Sequence, residues 1–62
     1  MLFTAKVSRV VAAASSSVVY LDNGKSLEIK KPHPVPNVGD KVTVTREDYA
    51  AWDGPKVPVK VS

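Results

Sequence analysis

Apolar and polar residues alternate along most of the chain, and this period of two predicts short β-strands. Near the N-terminus, Phe3, Ala5 and Val7 are separated by single polar residues, which predicts a half-buried strand. Continued alternation would place Arg9 on the apolar face. A β-bulge near Ser8 and Arg9 would restore burial and bend the chain, so we expect a long, bent first strand.

The clearest local signal is the dipeptide Asn23-Gly24, because these residues adopt the positive φ angles that a tight hairpin needs. Two registers are open. A two-residue turn would pair Tyr20 with Leu27 and bury the tyrosine. A three-residue turn closed by a glycine bulge would leave Tyr20 facing outward beside Glu28. The pattern slightly favours this second register, which gathers four aliphatic residues on one face: Val19, Leu21, Leu27 and Ile29.

Residues 45–55, TREDYAAWDGP, change the pattern and predict a short helix of one or two turns. Thr45 would be its N-cap, acidic residues would occupy the first turn where the helix dipole favours them, and Gly54-Pro55 would end it. Tyr49 and Trp52 are three residues apart and would therefore share one face of the helix.

The remaining strands lie on either side of this segment. The run KVTVT, residues 41–45, predicts a fourth strand, and KVPVKV, residues 56–61, predicts a fifth. Pro58 has no N–H group and therefore indicates an edge or bulged position. Five strands in a chain of 62 residues cannot cover both faces of a flat sheet, so we expect a small, strongly bent barrel.

This order of elements resembles the SH3-like small barrels, in which a short helical turn precedes the last strand as REDYAAW precedes KVPVKV. The segment NVGDKVTV also resembles the turn and strand found in many SH3-like and OB-type barrels. The chain lacks the long acidic loop and consecutive tyrosines of peptide-binding SH3 domains, and it has prolines where an OB barrel places its helix. The resemblance implies an all-β, five-stranded SH3-like barrel with one short helical turn before the last strand, an OB-like barrel being the alternative. Neither implies a function.

Length and composition predict one domain over residues 1–62 with a single thin core. With no cysteine and one histidine, neither a disulfide nor a metal or other cofactor is expected. The N-terminal segment MLFTAKVSRVV has no basic run before an apolar stretch. Its uninterrupted apolar runs are too short to be exported or to span a bilayer. We therefore expect a complete, cytoplasmic gene product without a membrane partner. Free-standing proteins of this size are frequent in bacteria, phages and prophages, and we expect such a source.

The residue types that support catalysis have ordinary structural explanations here. The serines at 15–17 have only His33 as a candidate base, and nothing resembles a nucleophile elbow. The three glycines stand alone in turns, so no phosphate-binding loop is predicted. Four acidic residues suit turns or the ends of the predicted helix: Asp40, Glu47, Asp48 and Asp53. The sequence therefore predicts a protein that is not an enzyme.

A proline-rich arm, residues 32–36, is the leading candidate for recognition. Its three prolines fix φ and bias the preceding residues towards extended conformations, so the arm is stiff. The connection is long for so small a domain, and long ordered loops are often functional. Our first hypothesis is a module that contacts a protein partner as a small regulator or structural accessory. Its candidate contacts are Pro32, His33, Pro34, Val35, Pro36, Tyr20 and Tyr49.

The net charge of +3 supports an alternative, a nucleic-acid-binding barrel with a basic face and a stacking aromatic residue. Its candidate contacts are Lys6, Arg9, Lys30, Lys31 and Trp52. The four cations would share one face only if the first and third strands are neighbours. Solubility explains so small a charge better, and closure of a thin core explains the single Trp52 better. Pairing between two chains through edge strands such as KVPVKV is also open.

Overall fold

The computed structural model describes residues 2–46, 48–54 and 56–62. This part of the chain contains seven β-strands and no helix, which confirms the prediction of an all-β domain. The strands are β1 (Phe3–Ala12), β2 (Ser16–Leu21), β3 (Ser26–Lys30), β4 (Lys41–Arg46), β5 (Tyr49–Ala51), β6 (Lys56–Pro58) and β7 (Lys60–Val61). They form one antiparallel sheet in the order β6-β5-β4-β1-β2-β3-β7.

Strand β1 divides this sheet into two halves, because its two ends pair with different neighbours. Residues 3–6 pair with β4, and residues 7–12 pair with β2. The register shifts between Val7 and Arg9, which confirms the predicted bulge. The side that contains β4, β5 and β6 is called the β4 half below, and the side that contains β2, β3 and β7 is called the hairpin half.

The sheet is not closed into a barrel, so the predicted five-stranded SH3-like barrel and its OB-like alternative are wrong in closure and in strand number. The C-terminal segment forms two short strands instead of one, and residues 49–51 add a further strand, which makes seven. β6 pairs with β5, the chain changes direction at Val59, and β7 pairs with β3. The Val59 N–H donates to the Asp48 carbonyl at 2.8 Å. Pro58, which has no N–H to extend a ladder, ends β6, and β6 is an edge strand as predicted.

Residues 49–51 form strand β5 instead of the predicted helix. The fully buried Ala50 lies opposite Val44 of β4 and Val57 of β6. Pairing on both sides satisfies the backbone of β5, whereas a helix of one or two turns is unstable in water without extensive packing. Without the helical turn, the resemblance to SH3-like barrels loses the feature that carried it.

The core is built from inward-facing side chains of both halves. Trp52 belongs to it and is only 7% exposed, whereas Tyr49 is half-buried on the outer side of β5, so the two rings do not share a face. Glu47 and Pro55, which the predicted helix included, lie outside the described residues. The buried cluster comprises Ala5, Val7, Val19, Leu21, Leu27, Ile29, Val42, Val44, Ala50, Trp52, Val57 and Val59.

The β2–β3 hairpin adopts the second of the two predicted registers. Val19 lies opposite Leu27, and Tyr20 lies opposite Ser26 with its side chain outward. The turn is closed by a hydrogen bond from the Gly24 N–H to the Leu21 carbonyl at 3.2 Å. Gly24 has a φ of 86°, which is the left-handed conformation that a glycine bulge requires.

The connection from β3 to β4, residues 31–40, contains the proline-rich arm and is attached to β1 at its far end. The Gly39 N–H donates to the Val7 carbonyl at 2.8 Å, and the Val7 N–H donates to the Asp40 carbonyl at 2.9 Å. Gly39 has a φ of 94°, as the third residue of a type II turn requires. Pro36 is fully buried. The arm therefore ends at the bulge where the two halves meet, and one of its prolines packs within the domain.

Candidate binding faces

The outer side of the hairpin half carries a small apolar surface with one aromatic ring. Tyr20 is 42% exposed, Val11 is 36% exposed, and Val18 lies between them in β2, opposite Val11. Arg9 lies opposite Tyr20, and its guanidinium carbon is 5.8 Å from the centre of the tyrosine ring. These four residues, Arg9, Val11, Val18 and Tyr20, are called the hairpin face.

Polar side chains border the hairpin face on the side of β3 and β7. Glu28 lies opposite Val18 on one side and opposite Lys60 of β7 on the other. Ser26 lies opposite Tyr20, and its backbone exchanges two hydrogen bonds with Ser62 at 2.9 and 3.2 Å. The apolar surface is therefore narrow, with a cation at one margin and charged residues at the other.

The outer side of the β4 half has a different composition. Tyr49 lies opposite Arg46, whose guanidinium carbon is 5.4 Å from the centre of the tyrosine ring. The Lys56 ammonium is 6.0 Å from the same point. Two cations therefore lie beside one ring, within the range of cation–π attraction.

Two further lysines face each other on this side of the sheet. Lys6 of β1 lies directly opposite Lys41 of β4, and both side chains are exposed. The next pair on the same face is Thr4 and Thr43, whose hydroxyl oxygens are 3.1 Å apart. The five residues Lys6, Lys41, Arg46, Tyr49 and Lys56 are called the basic face.

Three carboxylates lie near the basic face, and each has a partner. Asp48 is paired with Arg46 at 3.8 Å, the one salt bridge within the described part of the chain. Asp22 accepts a hydrogen bond from the Lys6 backbone N–H at 3.2 Å, and Asp40 accepts one from the Asn37 N–H at 2.8 Å. The basic face therefore has four cations against three nearby carboxylates, and only Arg46 among its cations has a carboxylate as described ion-pair partner.

The proline-rich arm is exposed over residues 32–35 and buried at Pro36. The His33 N–H donates to the Lys30 carbonyl at 3.1 Å, so the arm begins with a turn. His33 also lines a groove of about 350 Å³ between the arm, β3 and the C-terminal strands. Glu28, Lys30 and Lys60 line the same groove, so its lining carries two cations and one carboxylate.

The structure brings together few of the residues that the sequence analysis grouped. Tyr20 is in the hairpin half and Tyr49 in the β4 half, so they do not form one surface with the arm. Strand β2 lies between β1 and β3, so the condition for a shared face of Lys6, Arg9, Lys30 and Lys31 is not met. Trp52 is buried in the core, where no base can stack on it.

The cluster of Arg46, Tyr49 and Lys56 was not predicted from the sequence. Its residues meet because β4, β5 and β6 are adjacent, and the helix prediction excluded that arrangement. One signal was available: Arg46 and Tyr49 are three residues apart, which is the spacing of a pair that closes a tight hairpin.

The chain matches no protein-family model, no curated protein and no solved structure. Across residues 2–46, 48–54 and 56–62, no group of three or more His, Cys, Asp or Glu side chains is placed to hold a metal ion. The same residues include no helix long and apolar enough to cross a membrane.

Proposed function

We propose that this protein is a non-enzymatic binding module that contacts a partner protein through the hairpin face. One observation carries the proposal: an exposed tyrosine and an exposed valine lie on adjacent strands, with Val18 between them and Arg9 against the tyrosine ring. Exposed apolar surface that is contiguous marks interaction sites more often than scattered apolar residues do. The proposal includes a cytoplasmic location.

The composition of the hairpin face supports a protein as its ligand. Tyrosine and arginine are enriched among the residues that dominate binding energy at protein interfaces, and a small apolar centre with a polar rim is the usual arrangement. Tyr20 sits in β2, which is paired on both sides, so its backbone is already ordered before binding. Little conformational entropy would therefore be lost there on association.

The charges around the hairpin face indicate what the partner presents. Arg9 lies at one margin of the apolar strip, and Glu28 lies at the other. A partner with an apolar centre flanked by a carboxylate opposite Arg9 and a cation opposite Glu28 would be complementary. The arm leaves the sheet at the β1–β2 turn, since the Lys31 N–H donates to the Ser15 carbonyl at 3.1 Å. Its exposed residues 32–35 are a second candidate contact.

A site-specific crosslinking experiment tests this proposal. The photo-reactive residue p-benzoylphenylalanine replaces Tyr20 in one variant and the exposed Lys25, in the hairpin turn, in a matched control. We expect irradiation in the source cells to give one discrete adduct from position 20, absent from position 25 and lost when Val18→Asp is added. Equal adducts at both positions, or none at position 20, would contradict the proposal. An adduct with the mass of two copies would identify a second copy of this chain as the occupant instead.

A further inference from the structure

The basic face carries four cations, whereas the hairpin face carries one. Arg46 and Lys56 lie on either side of Tyr49 in the ladder, at 5.4 and 6.0 Å from its ring centre. Lys6 and Lys41 lie directly opposite each other. We infer that the basic face binds single-stranded nucleic acid, with phosphates held by the cations and a base against Tyr49.

The Lys6–Lys41 pair is the first argument for an anionic ligand. Like charges directly opposite each other in an antiparallel pair destabilise a sheet, because their side chains are about 5 Å apart at Cβ. Within the described residues neither lysine forms an ion pair that would offset this repulsion. A phosphate between the two ammonium groups would remove it and would release condensed counterions from the nucleic acid.

The surroundings of Tyr49 are the second argument. Arg46 and Lys56 can each donate to a phosphate oxygen while they remain beside the ring, and such charge-assisted hydrogen bonds are stronger than neutral ones. Tyr49 is half-buried on the outer side of β5, so part of its ring stays accessible for stacking. Basic grooves with aromatic residues are the usual means of binding single strands without strict sequence preference.

The layout favours a single strand over a duplex or a lipid surface. The cations lie on β1, β4 and β6, and Tyr49 lies on β5 between β4 and β6. These four strands span a width of about 14 Å at about 4.8 Å per strand, which suits a few nucleotides lying across the sheet. A paired duplex hides its bases from Tyr49. A lipid surface would need exposed apolar side chains that enter the interface, and the large exposed apolar residues of the described chain, Leu2, Val11, Tyr20, Val35 and Val38, are not among those of the basic face.

Fluorescence anisotropy tests the inference, with a labelled thymidine oligonucleotide, a duplex of equal length and vesicles that contain phosphatidylserine as separate ligands. Three or four phosphate contacts predict that log K falls with log salt at a slope of about −2 to −3 for a single strand. A tenfold rise in salt should therefore weaken oligonucleotide binding by about 100-fold or more. No binding at low salt, or tighter binding to the duplex or the vesicles, would overturn the inference.

Charge-neutral variants locate the contact. We expect Lys41→Gln and Lys56→Gln each to reduce the magnitude of the salt slope by about 0.7. Lys31→Gln is the matched control, since Lys31 is exposed at the end of β3, in the hairpin half, where its N–H donates to the Ser15 carbonyl. The salt slope of this variant should equal that of the original chain. Circular dichroism and Trp52 fluorescence verify that each variant is folded. An equal loss in the control would mean that binding depends on net charge alone and would overturn the site.

Discussion

The two outer faces of this domain repeat one local arrangement in different surroundings. In each half a register shift precedes an arginine, Arg9 in β1 and Arg46 in β4, and that arginine lies opposite a tyrosine of the next strand. The tyrosines are Tyr20 in the hairpin half and Tyr49 in the β4 half. In both pairs the guanidinium carbon lies within 6 Å of the centre of the tyrosine ring, at 5.8 Å for Arg9 and 5.4 Å for Arg46.

The neighbours of each pair make the difference. Val11 and Val18 extend the Tyr20 surface, whereas Lys56 lies beside Tyr49 and the Lys6–Lys41 pair lies at the other end of β4. A bulge turns a long side chain out of the regular alternation, and the ring beside it supplies a rigid contact. The arginine–tyrosine pair alone therefore does not determine the ligand, because the other residues of each face set the polarity of the surface.

The largest expected effect comes from truncating a side chain of the core, because both faces depend on the folded domain. Leu27 is fully buried, and Leu27→Ala should lower the free energy of unfolding by about 2–5 kcal/mol. A domain of this length has about 3–9 kcal/mol in total, so much of the chain would unfold. Urea titration followed by Trp52 fluorescence measures the loss. The control Val35→Ala, at an exposed position of the arm, should change stability by less than about 0.5 kcal/mol. If either face kept its ligand in an unfolded Leu27 variant, the faces would not depend on the fold.

Replacing either tyrosine by alanine gives the next largest effect, which is a loss of binding affinity at one face. Tyr20→Ala should weaken binding of the crosslinked partner protein by about 30-fold, which corresponds to a loss of about 2 kcal/mol at an interface centre. Tyr49→Ala should instead weaken oligonucleotide binding, by about 1–3 kcal/mol for a lost stacking contact. Each variant is measured against both ligands. A variant that weakens both ligands equally would show that the two faces are not separate sites.

The arm allows a smaller test, because it is attached at Val7, where the two halves meet. Pro36→Ala removes two buried methylene groups and some restriction of the unfolded chain, so stability should fall by about 2 kcal/mol. Pro34→Ala is the matched control at an exposed position and should cost only about 0.4–1 kcal/mol. Urea midpoints give both values. Equal losses would mean that Pro36 packs no better than Pro34.

Replacement of residues 32–35 by a flexible Gly/Ser segment separates recognition from packing, because it leaves the buried Pro36 in place. If the arm contacts the partner protein, this variant should remain folded and bind that partner more weakly. Oligonucleotide binding should not change. Retention of full partner affinity would restrict the contact to the hairpin face.

The sequence predicted those parts of the fold that depend on local pattern. The bulge near Ser8 followed from a break in alternation, and the outward position of Tyr20 followed from a register that gathers four aliphatic residues. The segment around Tyr49 was predicted wrongly, because an N-cap residue, early carboxylates and two aromatics three apart satisfy a helix equally well. Only the pairing of Ala50 with Val44 and Val57 distinguishes the two structures, and that pairing is not local.

The same limit applies to the candidate sites. Arg9 and Tyr20 lie eleven residues apart in sequence, and their contact depends on the bulge as well as on the hairpin register. The meeting of Arg46, Tyr49 and Lys56 requires β5 to exist as a strand. The residues of a surface can therefore be named from the sequence, but their grouping follows from strand order.

The smallest expected effect distinguishes the two arginines. Arg9→Gln and Arg46→Gln should each lower stability by only about 0.5–1 kcal/mol, because each removes one exposed cation–π contact, and the exposed Arg46–Asp48 pair adds little. Their effects on binding should differ. Arg46→Gln should reduce the magnitude of the oligonucleotide salt slope by about 0.7, whereas Arg9→Gln should leave the slope unchanged and weaken the partner protein. The lysine variants Arg9→Lys and Arg46→Lys keep the positive charge. Arg46→Lys should therefore have the same oligonucleotide salt slope as the original chain. If Arg9→Gln changed the slope as much as Arg46→Gln does, phosphate contacts would extend across β1 and the two faces would form one continuous surface.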